Sequence, residues 1–226
     1  MRFLTLFLFL FGLPFCANSS SDFTAEELEK WFNSDDLQPV KTGQDVNGGE
    51  LVFLNKSPRK PALHATNTFI IDKESIDQGW VTLTQCYEHL DQVRLTIVNY
   101  GFRILRNMQI TSARNIEKAL LEGKRVRLEN VGKDAQLCIT AQVRNFYQNE
   151  DKSFSLVSGP YHRKFLDGYF PFRLTMRVKY DKDLHFLYSV PQVQPGFNIE
   201  LENNNLSIDT LFEGRLKTEL RFKLES

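Results

Sequence analysis

Short stretches in which apolar and polar residues alternate recur along most of this chain, and they constrain its fold more than any other feature. The clearest stretch covers residues 137–143, where Leu, Ile, Ala and Val alternate with Cys, Thr and Gln. In a β-strand such alternation puts successive side chains on opposite faces and predicts one buried face. Many such stretches at close spacing favour an all-β fold, an antiparallel β-sandwich of one or two sandwich-like modules, over an alternating parallel-sheet fold.

The pattern predicts strands through most of the chain after residue 50. The last two should form a hairpin whose loop centres on Glu213 and Gly214, because they adjoin in sequence and both alternate. The predicted strands cover residues 50–54, 65–71, 80–86, 93–99, 102–110, 126–128, 137–143, 154–157, 172–180, 184–190, 206–212 and 216–224.

Two short helices are predicted to interrupt the strands. Thr24 is followed three residues later by Glu27, which is the pattern of a capping box at a helix start. Ser112 can cap a second helix, and Gly123 can end it. Both helices are short, so they do not change the all-β prediction.

A polar cluster at residues 148–152 is the best candidate for a hairpin tip or a module boundary. As a boundary it would separate a β-rich module with short helices at 20–147 from a second β-rich module at 148–226. A single domain is the alternative, and the sequence leaves it open.

The first residues have the features of a secretory signal peptide. Arg2 precedes an apolar run at residues 3–11, which is too short to span a membrane, and small residues follow at 17–20. We therefore predict a leader at residues 1–19 and a periplasmic or secreted protein. Bulky Phe15 disfavours lipid anchoring at Cys16, and no later apolar stretch predicts a transmembrane anchor in the mature chain.

Two further cysteines, Cys86 and Cys138, lie inside predicted strands. In an oxidising compartment they predict a disulfide bond. The alternative is two unpaired buried thiols acting as small apolar side chains. If Leu137 faces the core, Cys138 points to the other side of its strand, which weakens the alternative of buried thiols and leaves a second covered face or a bridge as explanations.

Charge and motifs argue against several classes of function. Without the leader, 27 Lys and Arg oppose 28 Asp and Glu, since only Arg2 is lost, so nucleic acid is not an expected partner. Nucleophile-elbow, phosphate-cradling and dinucleotide motifs are missing, and we expect no cofactor. Cys86 and His89 have a metal-ligand spacing but would need two more ligands, so we expect no metal site.

The segment from residue 159 to residue 172 is the most unusual part of the mature chain. It combines Gly and Pro with basic and aromatic side chains between two predicted strands. Basic groups can hold a carboxylate, and aromatic rings can stack on a sugar or a peptide side chain. The alternative is that the rings only cover a sheet edge. The candidate binding residues are Tyr161, His162, Arg163, Lys164, Asp167, Tyr169 and Phe170.

These observations predict an exported, non-enzymatic binding or accessory protein that recognises a protein or glycan partner. One alternative is a periplasmic assembly chaperone that acts by strand addition. Another is a hydrolase or metal-dependent enzyme centred on His89 or His162, each of which has charged neighbours.

Overall fold

The computed structural model describes residues 47–55, 58, 60–166 and 168–225 of the 226-residue chain. The predicted leader, Cys16 and the helix predicted to begin at Thr24 lie outside these residues. None of the described helices is long and apolar enough to cross a membrane.

The described residues form fifteen strands and one short helix. The helix, α1 (Lys73–Gln78), is capped by Asp72, whose carboxylate accepts a hydrogen bond from the Ser75 amide. The strands are β1 (Val52–Phe53), β2 (Leu63–Ile71), β3 (Trp80–Glu88), β4 (Val93–Asn99), β5 (Leu105–Glu122), β6 (Arg125–Arg144), β7 (Phe146–Gln148), β8 (Phe154–Tyr161), β9 (Arg163–Phe165), β10 (Gly168–Phe170), β11 (Phe172–Tyr180), β12 (Leu184–Val190), β13 (Asn198–Glu202), β14 (Asn205–Glu213) and β15 (Leu216–Leu224).

Most strands belong to one large sheet, which we call the main sheet. Its strand order is β1-β14-β11-β2-β3-β6-β4, with β13 also paired to β14 and β5 also paired to β6. All its ladders are antiparallel except that of β11 with β2. A second sheet has the order β12-β15-β8-β7, and β9 and β10 form a separate hairpin.

The core lies between the main sheet and the second sheet. The main sheet contributes fully buried side chains such as Phe69 and Ile139, and the second sheet contributes Leu156 and Phe222. The Tyr180 ring of the main sheet lies 5.1 Å from the Phe222 ring of the second sheet. The predicted all-β, sandwich-like fold is therefore confirmed.

The predicted bond between Cys86 and Cys138 is present. The two residues are directly opposite each other on β3 and β6, their Cα atoms are 4.1 Å apart, and their sulfurs are bonded. Both are half-buried on the face opposite buried Leu137, which we call the outer face of the main sheet. The disulfide prediction is confirmed, and the alternative of two unpaired buried thiols is wrong.

The helix predicted from Ser112 to Gly123 is wrong, because these residues lie in β5 and its turn. β5 pairs with β6 along its whole length, and Gly123 occupies the hairpin turn with φ +62°. Three register shifts along this ladder break the two-residue alternation that identifies a strand. The remaining apolar spacing happens to resemble a helix face, and pairing with β6 overrides it.

The predicted hairpin of the last two strands is also wrong. β14 pairs within the main sheet, whereas β15 pairs with β8 and β12 in the second sheet. Gly214 allows this change of sheet, because it has φ +87° and a Cβ there would overlap the Glu50 carbonyl oxygen. Two strands that are close in sequence therefore enter different layers of the sandwich.

Residues 148–152 lie at the connection between β7 and β8. The Asn149 amide donates to the Ser153 carbonyl at 2.7 Å, which closes the turn. β2 precedes this turn and β11 follows it, and the two pair side by side in the main sheet. The division into modules at 20–147 and 148–226 stays a prediction.

Candidate functional site

The segment singled out by its composition forms the end of β8 and the β9–β10 hairpin. Arg163 lies opposite Phe170, and Lys164 lies opposite Tyr169. Directly paired residues of an antiparallel ladder share a face. Arg163 and Phe170 therefore lie on one face of the hairpin, and Lys164 and Tyr169 on the other. Asp167 lies outside the described residues.

Two of the predicted binding rings, Tyr161 and Tyr169, are buried in the protein. The Tyr161 hydroxyl contacts Ser158 and accepts a hydrogen bond from Asn67 Nδ2 at 2.7 Å, and burial raises its pKa to about 12. The Tyr169 hydroxyl accepts from Arg215 Nε at 2.7 Å. Among the predicted rings, Phe170 is thus the one open to a ligand, with 37% of its surface exposed.

The basic residues of this segment have different surroundings. Arg163 donates to both carboxylate oxygens of Asp91, from Nη2 at 2.6 Å and from Nε at 3.2 Å. His162 and Lys164 are exposed, and each lies within 6 Å of the Tyr169 ring, at 5.7 Å and 5.8 Å. Arg163 therefore joins the hairpin to the β3–β4 connection, which carries Asp91.

A groove of about 780 Å³ lies beside this hairpin. One wall consists of residues 90–93 and 95–102, and the other consists of residues 159–165. Consecutive residues of a strand point to opposite faces, so a cavity lined by nearly all of them runs along the strand edge rather than over one face. We call this cavity the edge groove.

The edge groove runs along the edge of β4 that faces away from β6, and this edge is open. Within the part of the chain that the structure describes, β4 pairs with β6 alone. Large apolar side chains beside it are exposed, including Leu95 at 56% on β4 and Phe165 at 67% on the opposite wall. An unpaired edge with exposed apolar side chains is a surface on which another strand can pair.

Tyr100 adds an unusual feature to the groove. It lines the cavity, its side chain is only 6% exposed, and its hydroxyl makes no hydrogen bond within the described residues. Burial, together with neighbouring Tyr87, raises the pKa of the Tyr100 hydroxyl. A buried hydroxyl with no partner is costly unless a ligand or a water satisfies it.

The sequence prediction did not identify the edge groove as a site. β4 was predicted with the bounds that the structure has, and the segment from residue 159 was singled out. Neither observation says that the two lie side by side, because this depends on the order of strands in the main sheet. The apolar residues at 93, 95 and 97 alternate in the sequence, which by itself predicts a buried face, and only the structure shows that they are exposed.

A polar row crosses the outer face of the main sheet. His64 Nε2 lies 2.9 Å from Thr175 Oγ1, and His64 Nδ1 lies 3.4 Å from a Glu88 carboxylate oxygen. His64 and His89 both line a second cavity of about 450 Å³. Burial and then Arg173 lower the pKa of His64, so the neutral imidazole is favoured. No group of three metal-ligating side chains occurs among the described residues.

Changing Glu88 to glutamine should lower the pKa of His64 further. The Glu88 carboxylate favours the charged imidazole, and the substitution removes this attraction. An NMR titration of the His64 ring protons measures the change, and an unchanged or higher pKa would contradict the assignment.

The lowered pKa of His64 also predicts how stability depends on pH. The unfolded histidine, with an ordinary value of 6.5, binds more protons than the folded one at mildly acidic pH. The free energy of unfolding should therefore rise as pH increases toward about 6.5 and then level off. His64→Gln should reduce this slope.

Comparisons with known proteins find only weakly similar solved structures. No known protein family matches this chain, and neither does any curated protein. A mutant of the M1 zinc metallopeptidase from Deinococcus radiodurans, bound to a Tyr-Ser-Ala substrate, has a TM-score of 0.42 and 10% identity over 72% of this chain and 42% of that chain. Another structure of the Deinococcus radiodurans enzyme has a TM-score of 0.39 and 13% identity, over 79% and 43%. This chain spans less than half the length of those chains.

Proposed function

We propose that this protein binds an extended segment of a partner protein in the edge groove, by strand addition to β4, and that it acts as an exported binding or accessory protein. The observation that carries the proposal is the course of the groove along an open strand edge, between residues 90–102 and 159–165. A bound strand would form main-chain hydrogen bonds with β4 and place alternate side chains against the apolar walls.

The dimensions of the groove suit an extended peptide. β4 has seven residues, which at the rise of a β-strand gives an edge of about 23 Å. The volume of the edge groove lies in the range of ordinary ligand sites. A peptide of similar length could therefore pair along the whole strand.

The chemistry of the walls favours a protein over a glycan. Leu95, Ile97 and Phe165 offer exposed apolar surface to a partner side chain. Two rings expected to stack on a sugar, Tyr161 and Tyr169, are buried, and the exposed rings of Phe165 and Phe170 carry no polar group that could bind a sugar hydroxyl. The proposal is therefore a binding protein that uses strand addition, the binding mode of an assembly chaperone. If the protein is a chaperone, the bound segment belongs to an unassembled client.

The predicted leader and the disulfide support a periplasmic or secreted location. Disulfides persist in oxidising compartments. Under this proposal the partner is a protein that reaches the same compartment.

A labelled heptapeptide of alternating Val and Thr, blocked at both ends, tests the proposal. We expect it to bind the protein, and we expect Leu95→Lys to weaken binding at least about tenfold, because a charge on an edge strand opposes pairing. Fluorescence anisotropy measures the affinity. The matched control is Leu201→Lys, since Leu201 is 54% exposed on β13 but does not line the groove.

Two further arms identify the binding mode. Two versions of the peptide carry N-methyl groups at alternate residues, one at the odd and one at the even positions. The version whose methyl groups lie on the edge that faces β4 cannot complete a ladder and should lose binding, whereas the other should keep it. Oligosaccharides of N-acetylglucosamine test the glycan alternative. Binding of a sugar and of no peptide, or equal peptide binding by Leu95→Lys and the unchanged protein, would refute strand addition to β4.

A further inference from the structure

The ion pair of Asp91 and Arg163 connects the two walls of the edge groove. Asp91 belongs to the β3–β4 connection on one wall, and Arg163 belongs to β9 on the other. Both guanidinium contacts go to the one carboxylate, at 2.6 Å and 3.2 Å. The Arg163 guanidinium also lies 5.7 Å from the Phe170 ring. One end of the groove is thus a preformed carboxylate site already occupied by the protein's own side chain.

The charge of the groove lining is unbalanced. Among the described residues that line the groove, Asp91 is the one carboxylate, whereas His162, Arg163 and Lys164 are all basic. The wall along β4 is mainly apolar or neutral between residues 93 and 102. A complementary occupant is therefore apolar along its length and negative at one end.

Exchange of the Asp91 carboxylate for a partner's carboxylate would cost little. The Asp91 side chain is mostly exposed, and such ion pairs contribute little to stability. A guanidinium binds a carboxylate through two parallel hydrogen bonds, and a second carboxylate can take over this geometry. Arg163 would then lose no hydrogen bonds on binding.

Resting on the proposed function, the geometry points to one class of partner segment: an apolar extended strand with a carboxylate at the end that lies against Arg163. This carboxylate displaces Asp91 and binds the Arg163 guanidinium. The carboxylate comes from an acidic side chain or from a chain terminus.

Five versions of the Val and Thr heptapeptide test this assignment. One is blocked at both ends, one has a free C-terminal carboxylate, and three blocked versions carry Glu at the first position, Glu at the last position or Lys at the last position. We expect a carboxylate version to bind about tenfold more tightly than the blocked peptide. The preferred version shows whether a terminal or a side-chain carboxylate is bound, and the gain should shrink at high salt.

Protein variants test whether the higher affinity for carboxylate peptides depends on the ion pair of Asp91 and Arg163. Arg163→Gln should remove the difference between carboxylate and blocked peptides. Asp91→Asn should increase the affinity for the carboxylate peptide, because the competing group is gone. The matched control is Arg173→Gln, since Arg173 makes the same two-contact pair with Asp209 away from the edge groove.

The outcomes separate this inference from the proposed function. Equal binding of blocked and carboxylate peptides, still weakened by Leu95→Lys, overturns the carboxylate site and leaves strand addition standing. Binding of no peptide overturns strand addition itself. Two other results would assign the groove to this chain itself and overturn the inference. One is dimerisation of the protein that Leu95→Lys abolishes. The other is binding of a synthetic peptide of residues 24–40 that saturates the groove.

Discussion

Replacing Cys86 and Cys138 together by serine should lower the free energy of unfolding by about 4 kcal/mol. The bond joins residues that are 52 positions apart, and it restricts the unfolded chain far more than the folded one. In the folded state the two residues already face each other on β3 and β6, so the ladder itself does not need the bond. The effect should therefore appear as lower stability and not as a different fold.

Urea denaturation followed by circular dichroism measures the loss. Adding a reductant to the unchanged protein should reproduce it, whereas the double serine variant should not respond to the reductant. Equal stability of the variant and the oxidised protein would show that the bond does not restrict the unfolded state.

Local pattern was sufficient for much of the fold. The prediction for β4 has the same bounds as the structure, and β3 extends only two residues beyond its predicted end. The disulfide was predictable for the same reason, because alternation around Leu137 put Cys138 on the outer face. These features depend on side chains that alternate within one strand, and a single sequence contains that information.

The pairing of strands over long distances was not predictable in the same way. The β5–β6 hairpin contains three register shifts, and each shift reverses the alternation on which a strand prediction depends. The parallel ladder of β2 with β11 joins segments about one hundred residues apart in sequence. Neither the register shifts nor the parallel pairing can be recognised in a short stretch of the sequence.

The candidate site depends both on local sequence pattern and on long-range strand pairing. Composition identified the segment from residue 159, which forms one wall of the edge groove. It did not show that Tyr161 and Tyr169 are buried, because their partners Asn67 and Arg215 are distant in sequence. The opposite wall is an ordinary strand whose significance depends on its position at an open edge.

Gly214→Ala should be among the most destabilising single substitutions in this protein, lowering the free energy of unfolding by about 3 kcal/mol or more. Two causes combine at this position. Its φ of +87° is strained for alanine, and the added Cβ would overlap the Glu50 carbonyl oxygen. Since this backbone passes from β14 in the main sheet to β15 in the second sheet, relieving the overlap would require the backbone at Gly214 or at Glu50 to shift.

Gly123→Ala separates the two causes. Gly123 also has a positive φ, of +62°, but no atom lies within 4 Å of the position its Cβ would take. It should lose only about 1 kcal/mol, which is the cost of the backbone conformation alone. The difference between the two variants in urea denaturation measures the close contact at the crossing between sheets. Equal losses would mean that Glu50 moves aside freely, so that the passage between the two layers does not depend on glycine at 214.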